Sequence, residues 1–346
     1  MTQREQRKDD HIRLALNHPE SPSSFDQIHL VHRSIPSIKQ TDISLHTHIS
    51  SLSFEHPIYI NAMTGGSKWA GEINHKLAIV SRETNIPMAV GSMHAALKNP
   101  ALIPTYQVIR EVNPNGIVFA NIGADVPLDF AQRAIDMIQA DALQIHLNAP
   151  QEVVMPEGGR DFADWLSNIE AVVRTSEVPV IIKEVGFGMS SETLAQLKAI
   201  GVKAADISGR GGTNFVYIEN ERRPGKDQSY LNDWGQTTPV SLMESMPFQH
   251  EMDILSSGGI RTPLDAIKSF VLGAKAAGLS RTVLNELELK GVEPTIKMIE
   301  RFKAHLTDIA LILGAKDMTA LREVPYVLSP ELESWQRQRK QRGRNL

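Results

Sequence analysis

The chain has 346 residues, a formal net charge of −4, 41% hydrophobic and 22% charged residues, and no cysteine. This composition is typical of an ordinary globular protein, and the charge leaves no basic footprint for nucleic acid. The lack of cysteine excludes disulfides, thiolate metal sites, iron–sulfur clusters and a catalytic thiol. We interpret the basic stretch Arg337–Arg344 as a solvated tail.

The first residues are charged and lack the apolar core of a signal peptide. No run of about 18 apolar residues occurs, so no membrane partner is expected. These features predict a soluble, cytoplasmic protein.

From residue 57, short runs rich in β-branched and apolar residues alternate with segments of helical period, which is typical of a parallel sheet. The predicted strands are Ile58–Ala62, Met88–Val90, Ile117–Asn121, Ala142–Leu147, Val180–Lys183, Ala204–Ile207, Asp253–Ser256 and Ala276–Leu279. The predicted helices include Leu128–Ile138, Phe162–Val173, Glu192–Ile200, Pro263–Leu272 and Thr295–Leu313.

Eight successive units of this kind favour a closed (β/α)8 TIM barrel, with a doubly wound open sheet as the alternative. We expect an N-terminal extension over residues 1–56 that packs on the barrel or on a neighbouring subunit. The barrel would cover residues 57–315, and residues 316–346 would form a C-terminal tail. A long polar insertion at 209–238, after the sixth strand, is expected to be a functional lid or partly disordered.

Glycine-rich turns follow the last two strands, at Ser256–Arg261 and Gly278–Arg281. Loops after strands 7 and 8 are the usual phosphate site of such barrels, and paired glycines allow backbone amides to approach an anion. A plain turn into a helix is the alternative for either loop alone. Together they favour a phosphate, and a barrel-bound phosphate of this type often belongs to FMN.

Small and amide residues at the first three strand ends suit the edge of a flavin ring. They are Ala62–Gly66, Gly91-Ser92 and Asn121, although each alone is also ordinary turn chemistry. Lys183 closes an apolar run, so its ammonium is expected to project into the barrel mouth, where a cation would stabilise negative charge on a reduced flavin. A snorkelling surface lysine is the competing interpretation.

The fourth strand alternates so that Gln144, His146 and Asn148 share one face. Such residues need partners or a ligand, and a satisfied core network is a real competitor. Glu152 is a candidate Mg²⁺ ligand, because Mg²⁺ binds through one or two carboxylates plus phosphate oxygens. The loop Ser208–Phe215 also suits phosphate or flavin. In the following run, Glu219–Arg223, we expect Glu221 and Arg223 to be solvated.

These segments together resemble the type 2 isopentenyl-diphosphate Δ-isomerase family over essentially the whole chain. The marks of the resemblance are Arg7-Lys8 with His11, Met63–Gly66, His146–Asn148 with Gln151-Glu152, Lys183–Gly188, and Ser208–Phe215. Each mark is modest alone, whereas the ordered set is specific.

The resemblance implies an FMN enzyme, active with reduced flavin and Mg²⁺, that interconverts isopentenyl and dimethylallyl diphosphate. NADPH is implied as the flavin reductant, and a homotetramer or homo-octamer as the assembly. By matching position, Lys183, His146 and Gln151 would be catalytic, and Glu152 would bind Mg²⁺. Substrate would be bound by Arg7, Lys8, His146, Asn148 and Gln151. FMN would be held by Ala62, Met63, Thr64, Ser92, Asn121, Lys183, Ser208, Thr213, Gly258, Gly259, Leu279 and Ser280.

The chemistry agrees, because an unactivated alkene is a poor base and these strand ends offer no obvious side-chain acid of sufficient strength. One rival is an FMN-dependent 2-hydroxy-acid oxidase or dehydrogenase. Those enzymes place a histidine in the loop after the sixth strand, and Ser208–Thr213 contains none. A second rival is a non-catalytic flavin- or phosphate-binding barrel, which would have little reason to keep His146, Asn148, Gln151 and Glu152 together.

Overall fold

The structure, a computed structural model, describes residues 3–17 and 22–342. Its strands in chain order are β1 (Ile28–Leu30), β2 (Thr47–Ile49), β3 (Leu52–Phe54), β4 (Ile58–Ile60), β5 (Met88–Ala89), β6 (Val118–Gly123), β7 (Ala142–Leu147), β8 (Val180–Glu184), β9 (Ala204–Asp206), β10 (Asp253–Ser257), β11 (Ala276–Leu279) and β12 (Tyr326–Leu328).

The α-helices follow the strands or flank them. In chain order they are α1 (Gln3–Asn17), α2 (Lys68–Thr84), α3 (His94–Lys98), α4 (Pro104–Val112), α5 (Leu128–Ile138), α6 (Ala149–Val154), α7 (Trp165–Thr175), α8 (Ser191–Ala199), α9 (Phe215–Arg222), α10 (Thr238–Ser245), α11 (Pro263–Val271), α12 (Arg281–Lys290), α13 (Val292–Leu313), α14 (Met318–Arg322) and α15 (Pro330–Arg342).

Strands β4 to β11 form a closed parallel barrel, in the order β10-β11-β4-β5-β6-β7-β8-β9. The pairing of Leu279 in β11 with Ile60 in β4 closes the ring. The predicted TIM barrel is therefore confirmed, and the doubly wound alternative is wrong. Buried strands explain the apolar runs in the sequence, since all six residues of β6 are buried on both faces of the sheet.

The barrel interior is packed at the amino ends of the strands. Tyr59, Phe119, Ile181 and Leu255 form an inner cluster with Phe54, which comes from the β2–β3 hairpin. The rings of Phe54 and Phe119 are stacked, with centroids 6.2 Å apart. Because this end is filled, open space inside the barrel remains only toward the carboxyl ends of the strands.

The helix predictions agree with the structure except at their ends. Helix α5 has the predicted bounds, and α13 begins three residues early, at Val292, directly after Gly291. Helix α7 begins only at Trp165, and Phe162, expected as its first residue, lies in the preceding turn with its ring edge-on to that of Trp165. No helix in the described part of the chain is long and apolar enough to cross a membrane.

The 209–238 insertion is built around a helix. In α9, Val216, Ile218, Glu219 and Asn220 are buried. The residues after α9 are held by a hydrogen bond in which Asn214 Nδ2 donates to the Asn232 carbonyl at 2.7 Å. Residues 209–238 are thus built around a packed helix rather than partly disordered, and their role as a lid stays a prediction.

The N-terminal extension packs on the barrel through α1, whose Ile12 and Ala15 are buried. Strand β1 pairs antiparallel with β12, so the N-terminal extension is hydrogen-bonded to the segment that follows the barrel. The segment expected as a C-terminal tail therefore includes α14, β12 and α15. Residues 1–2, 18–21 and 343–346 of these expected segments lie outside the described residues.

A buried carboxylate docks α15 and corrects the solvated prediction for one residue of the basic stretch, Arg339, whereas Arg337 and Lys340 are exposed as expected. Glu244 in α10 accepts hydrogen bonds from Trp335 Nε1 and Arg339 Nε, both at 2.8 Å. Arg339 also pairs with Glu192. Burial alone would raise the pKa of Glu244, but the hydrogen bonds from Arg339, Ser191 and Trp335 lower it to about 2. The sequence does not reveal that Glu244, far away in the chain, is a buried partner of Arg339.

We predict that Glu244→Gln lowers the free energy of unfolding by about 1–3 kcal/mol at pH 7, because buried donors lose a charged acceptor. The folded carboxyl has its pKa near 2, below the ordinary 4.5. Its stabilisation is therefore present above pH 4.5 and lost as the pH falls toward 2. Urea denaturation at several pH values measures this.

The matched control is Glu192→Gln, which removes the half-exposed partner of the same arginine. We expect it to cost less than about 1 kcal/mol. Equal losses from the two variants would contradict the docking role assigned to Glu244.

Candidate active site

One cavity of about 680 Å³ lies at the carboxyl ends of the barrel strands. It brings together nearly all the site residues expected from the sequence. Those on its wall are Arg7, Lys8, Ala62, Met63, Thr64, Ser92, Asn121, His146, Asn148, Gln151, Glu152, Lys183, Ser208, Thr213, Gly258, Gly259 and Ser280.

Leu279 is the expected site residue that does not line this cavity. Its side chain is fully buried in the core, and its carbonyl accepts a hydrogen bond from the Asn61 amide at 2.9 Å. The reason is its position inside β11, where it packs outward, whereas the next residue, Ser280, reaches the cavity.

Glycines form the wall of the cavity after β10. Gly258 and Gly259 have φ of +89° and +78°, which favour glycine. A Cβ on Gly258 would lie 1.9 Å from the Gly209 carbonyl oxygen, so the two loops touch through their backbones. Helix α11 follows, with a capping box between Thr262 and Asp265. Exposed main chain ahead of a capped helix is suited to a phosphate.

A buried hydrogen-bond network forms the floor of the cavity. Asp206 accepts from Tyr59 OH at 2.7 Å and from Asn61 Nδ2 at 2.8 Å. Ser257 Oγ and the Ser208 amide also donate to this carboxylate. Gln144 donates to Asn61 Oδ1 at 3.3 Å, while its own Oε1 is buried without a partner in the described part of the chain. Gln144 therefore belongs to a buried hydrogen-bond network, as the alternative interpretation of this strand expected.

His146 lies at the end of β7 as a neutral imidazole. Its Nδ1 is 2.9 Å from Asn121 Oδ1, and Asn121 Nδ2 donates to the Val90 carbonyl. Since the Asn121 oxygen must accept, Nδ1 carries the proton and the lone pair is on Nε2. Burial, followed by the positive charge of Lys183, lowers the pKa of His146 to about 3.

The residues after β7 form a second polar network with α9. Asn148 Nδ2 donates to Glu152 Oε1 at 3.0 Å, and the Gly159 amide donates to Glu152 Oε2 at 2.9 Å. Gln151 Nε2 donates to Glu219 Oε1 at 2.8 Å. A carboxylate thus stands on the cavity wall with both oxygens held.

Glu219 is a site residue that the sequence reasoning missed. It is fully buried and binds Gln151, His11 and Arg222. Against the effect of burial, the hydrogen bond from His11 lowers its pKa to about 2. In α9, Val216, Glu219 and Asn220 follow helical spacing on one buried face, and that periodicity could have revealed it.

The solvated reading of the two neighbouring charges is also corrected. Arg223 donates to the Val154 carbonyl at 3.0 Å and to Asp227 at 2.8 Å, so it is partly buried. Glu221 is partly buried and pairs with Lys226. Packing of α9 against α6 removes water from this side of the helix.

Helix α1 covers one side of the cavity and carries two cations into it. Arg7 lies 3.4 Å from Glu157, and Ser67 Oγ donates to Asp9 at 2.6 Å, which fixes the helix to the start of α2. Burial and the neighbouring charge of Arg7 lower the pKa of Lys8 to about 8. The two cations converge on the side of the cavity that holds Glu152.

Lys183 stands at the end of β8, with its side chain 5% exposed. Its Nζ donates to the Glu184 carbonyl at 2.8 Å. Desolvation lowers the pKa of this lysine, while the carboxylates of Asp206 and Glu184 act in the opposite direction. The snorkelling alternative is excluded, because the side chain is buried at the cavity wall.

The described residues contain no group of three or more His, Asp or Glu side chains arranged to hold a metal ion. Glu152 offers a single carboxylate to the cavity. A metal there would need its remaining ligands from a bound anion or from water.

The chain resembles a well-defined group of proteins over nearly its whole length. It is 54% identical over 339 residues to the isopentenyl-diphosphate delta-isomerase of Staphylococcus epidermidis, with 98% of this chain and 97% of that protein covered. The corresponding protein of Staphylococcus aureus is 53% identical, with 97% of each chain covered. That of Staphylococcus saprophyticus is 52% identical, again with 97% of each covered.

Residues 139–326 match the FMN-dependent dehydrogenase family. Among solved structures, flavocytochrome b2 with benzoylformate has a TM-score of 0.68 at 16% identity, covering 94% of this chain and 84% of that one. Mandelate oxidase with (S)-2-phenylpropionate has a TM-score of 0.66 at 16% identity, covering 94% and 97%. At such low identity these two likenesses show the fold alone.

We predict that His146 stays neutral from pH 5 to 9, because its folded pKa is about 3. Its imidazole ¹⁵N signals, identified by their loss in His146→Asn, should not shift over this range. In urea-unfolded protein the same ring should titrate near its ordinary value of about 6.5. A folded-state midpoint above pH 5 would overturn the neutral assignment.

Proposed function

The chain belongs to the type 2 isopentenyl-diphosphate delta-isomerases, within the wider FMN-dependent dehydrogenase family, and from this premise we propose that it interconverts isopentenyl and dimethylallyl diphosphate. The observation that carries the proposal is 54% identity to such an isomerase over 98% of the chain. The reaction moves a double bond. One proton adds to the terminal alkene carbon, and another leaves the carbon next to the diphosphate-bearing one.

FMN fits the cavity by two features of the chain. The Gly258-Gly259 wall presents main chain to the cavity, because a Cβ on either glycine would collide with the backbone of Gly209 or Gly211. Thr64 Oγ1 is buried at the cavity without a partner among the described residues, as expected for a group that awaits a ligand.

FMN would be held by the glycine loop, Ser280, and the strand-end residues Ala62, Met63, Thr64, Ser92, Asn121, Lys183, Ser208 and Thr213. The side chain of Leu279 lies in the core, so any contact of this residue with FMN would be made by its main chain. Reduced FMN, when bound, supplies the acid and base strength that protonation of an unactivated alkene requires.

The side chains of the second network would bind and orient the diphosphate. Arg7 and Lys8 would neutralise its oxygens, and Mg²⁺ on Glu152 would complete the neutralisation. A single carboxylate is sufficient, because phosphate oxygens and water supply the other Mg²⁺ ligands. Asn148 and Gln151 would fix the substrate by hydrogen bonds, and α1 would exclude water from the alkene.

Neutral His146 and charged Lys183 have different parts in this proposal. With its proton on Nδ1, His146 would accept a hydrogen bond at Nε2 and would add no positive charge near the alkene. Lys183 would hold negative charge on the cofactor side of the cavity. Burial and the charge of Lys183 lower the pKa of His146, whereas the carboxylates of Asp206 and Glu184 raise the pKa of Lys183 against the effect of burial.

The 2-hydroxy-acid oxidase alternative is less well supported. The loop after β9, Ser208–Thr213, contains no histidine, and the histidines lining the cavity are His11, His94 and His146 from other elements. A non-catalytic carrier would not need the ordered contacts among Asn148, Gln151, Glu152 and Glu219.

NADPH as the reductant, a homotetramer or homo-octamer, and a cytoplasmic location remain predictions. NADPH is proposed because a flavin that must be reduced before turnover needs a hydride donor, which the isomerisation itself neither supplies nor consumes.

We predict that the purified protein with FMN, Mg²⁺ and a reductant converts isopentenyl to dimethylallyl diphosphate under anaerobic conditions. Proton NMR of the two diphosphates measures the conversion. A flavin-loaded protein that yields no dimethylallyl diphosphate under these conditions would sink the isomerase proposal.

We predict that Glu152→Gln raises the Mg²⁺ concentration for half-maximal rate at least tenfold, because the metal loses its protein ligand. The flavin absorption spectrum should be unchanged. The control is Asp161→Asn, which removes a carboxylate from the exposed rim of the same cavity. Loss of flavin from Glu152→Gln, or an equal effect in the control, would show that the role is misassigned.

A further inference from the structure

The register of three neighbouring strands places Lys183 between a histidine and an aspartate. In the parallel ladder, Lys183 of β8 is paired with His146 of β7 and with Asp206 of β9. Paired residues of adjacent strands point to the same face of a sheet, which is here the barrel interior. The neighbours of Lys183 across the sheet are therefore one imidazole and one carboxylate.

Asp206 is surrounded by hydrogen-bond donors. It is fully buried, and Tyr59 OH, Asn61 Nδ2, Ser257 Oγ and the Ser208 amide all donate to it. The Asn61 and Ser208 N–H groups can only donate, and a set of four donors is suited to a carboxylate that accepts throughout. A buried negative charge of this kind requires a nearby positive charge.

Lys183 needs that carboxylate for the same reason. The other neighbour of Lys183 in the ladder, His146, carries no charge to pair with Asp206. Its pKa is about 3, so the ring is neutral at pH 7. The side chain of Glu184 turns away to the following loop, where it accepts from the amides of Val185, Gly186 and Phe187. Among the described residues, Lys183 donates only to the main-chain carbonyl of Glu184, whose carboxylate raises the pKa of Lys183 less than that of Asp206 does.

We propose that Asp206 is a positioning residue that keeps Lys183 a cation at the mouth of the barrel. The pair is net neutral within the desolvated interior, so the positive end can be kept at the cavity wall. Tyr59, Asn61 and Ser257 hold the carboxylate in place from below. That this cation stabilises negative charge on a bound flavin rests on the proposed function. The charge of Lys183 itself does not depend on that function.

The test is a pH titration of Lys183 in the full chain without FMN, by NMR of [ε-¹³C]lysine. The resonance is identified by its absence in Lys183→Met. In the unsubstituted protein it should show the charged form at pH 7. In Asp206→Asn its midpoint should fall by at least one pH unit, which is a tenfold loss of proton affinity. An unchanged midpoint would overturn the proposal.

Tyr59→Phe is the matched control. It removes one hydrogen bond from Asp206 but leaves the carboxylate charge, so the proton affinity of Lys183 should change by less than threefold. A merely structural role for the network would move the Lys183 midpoint as much in Tyr59→Phe as in Asp206→Asn, and that result would contradict the charge pairing.

Asp206→Asn can also fail to fold, and a double variant keeps the proposal testable in that case. If the two residues are a charge pair, Asp206→Asn/Lys183→Met should regain the folded state, seen as a cooperative thermal transition. Failure of the double variant to recover would count against the pairing. Because the titration uses no flavin or substrate, its outcome is independent of whether the unsubstituted protein turns over.

Discussion

Closure of eight parallel strands into a barrel brings every strand's carboxyl end to one rim, and the whole site depends on that constraint. Side chains that point inward there converge, and the deepest of them, such as Asp206, are fully buried. Polar groups must then satisfy one another or a ligand. Asp206 meets this condition by accepting from donors on β4, β10 and the loop after β9. In the charge pairing that we propose, its position beside Lys183 in the sheet stabilises a positive charge next to the open space of the cavity.

The cavity above this floor has two chemically different sides. On the side of β10 and β11 it is lined by main chain, because Gly258 packs so closely on Gly209 that no side chain fits. On the side of β7 it is lined by held side chains, with Glu152 and Gln151 fixed by Asn148 and Glu219. Helix α1 brings Arg7 and Lys8 to this second side. In the proposed function, the first side holds the phosphate-bearing cofactor and the second side holds the diphosphate with its metal ion.

Sequence reasoning located the barrel well because its strands are buried on both faces and are recognisable as apolar runs, as in β6 and β8. The same apolar runs located the strand-end residues, because the end of each strand determines which residues reach the rim of the barrel. It failed where tertiary contacts decide the environment. Glu219 and Arg339 belong to charged stretches that look solvated, yet each has partners from distant parts of the chain. Of the two neighbours expected at the site, Leu279 and Ser280, only Ser280 lines the cavity, because the sequence does not show which face of β11 meets it.

The relatives of this fold include oxidases, so the central claim is that this cavity moves a proton without net oxidation. The most direct measurement is anaerobic turnover of isopentenyl diphosphate in D₂O by the reduced, FMN-loaded protein, followed by NMR and by the flavin spectrum. The account predicts dimethylallyl diphosphate with deuterium in the methyl group formed from the terminal alkene carbon, and a flavin that is still reduced after many turnovers. Consumption of substrate in proportion to a change in flavin oxidation state, without formation of the isomer, would contradict it.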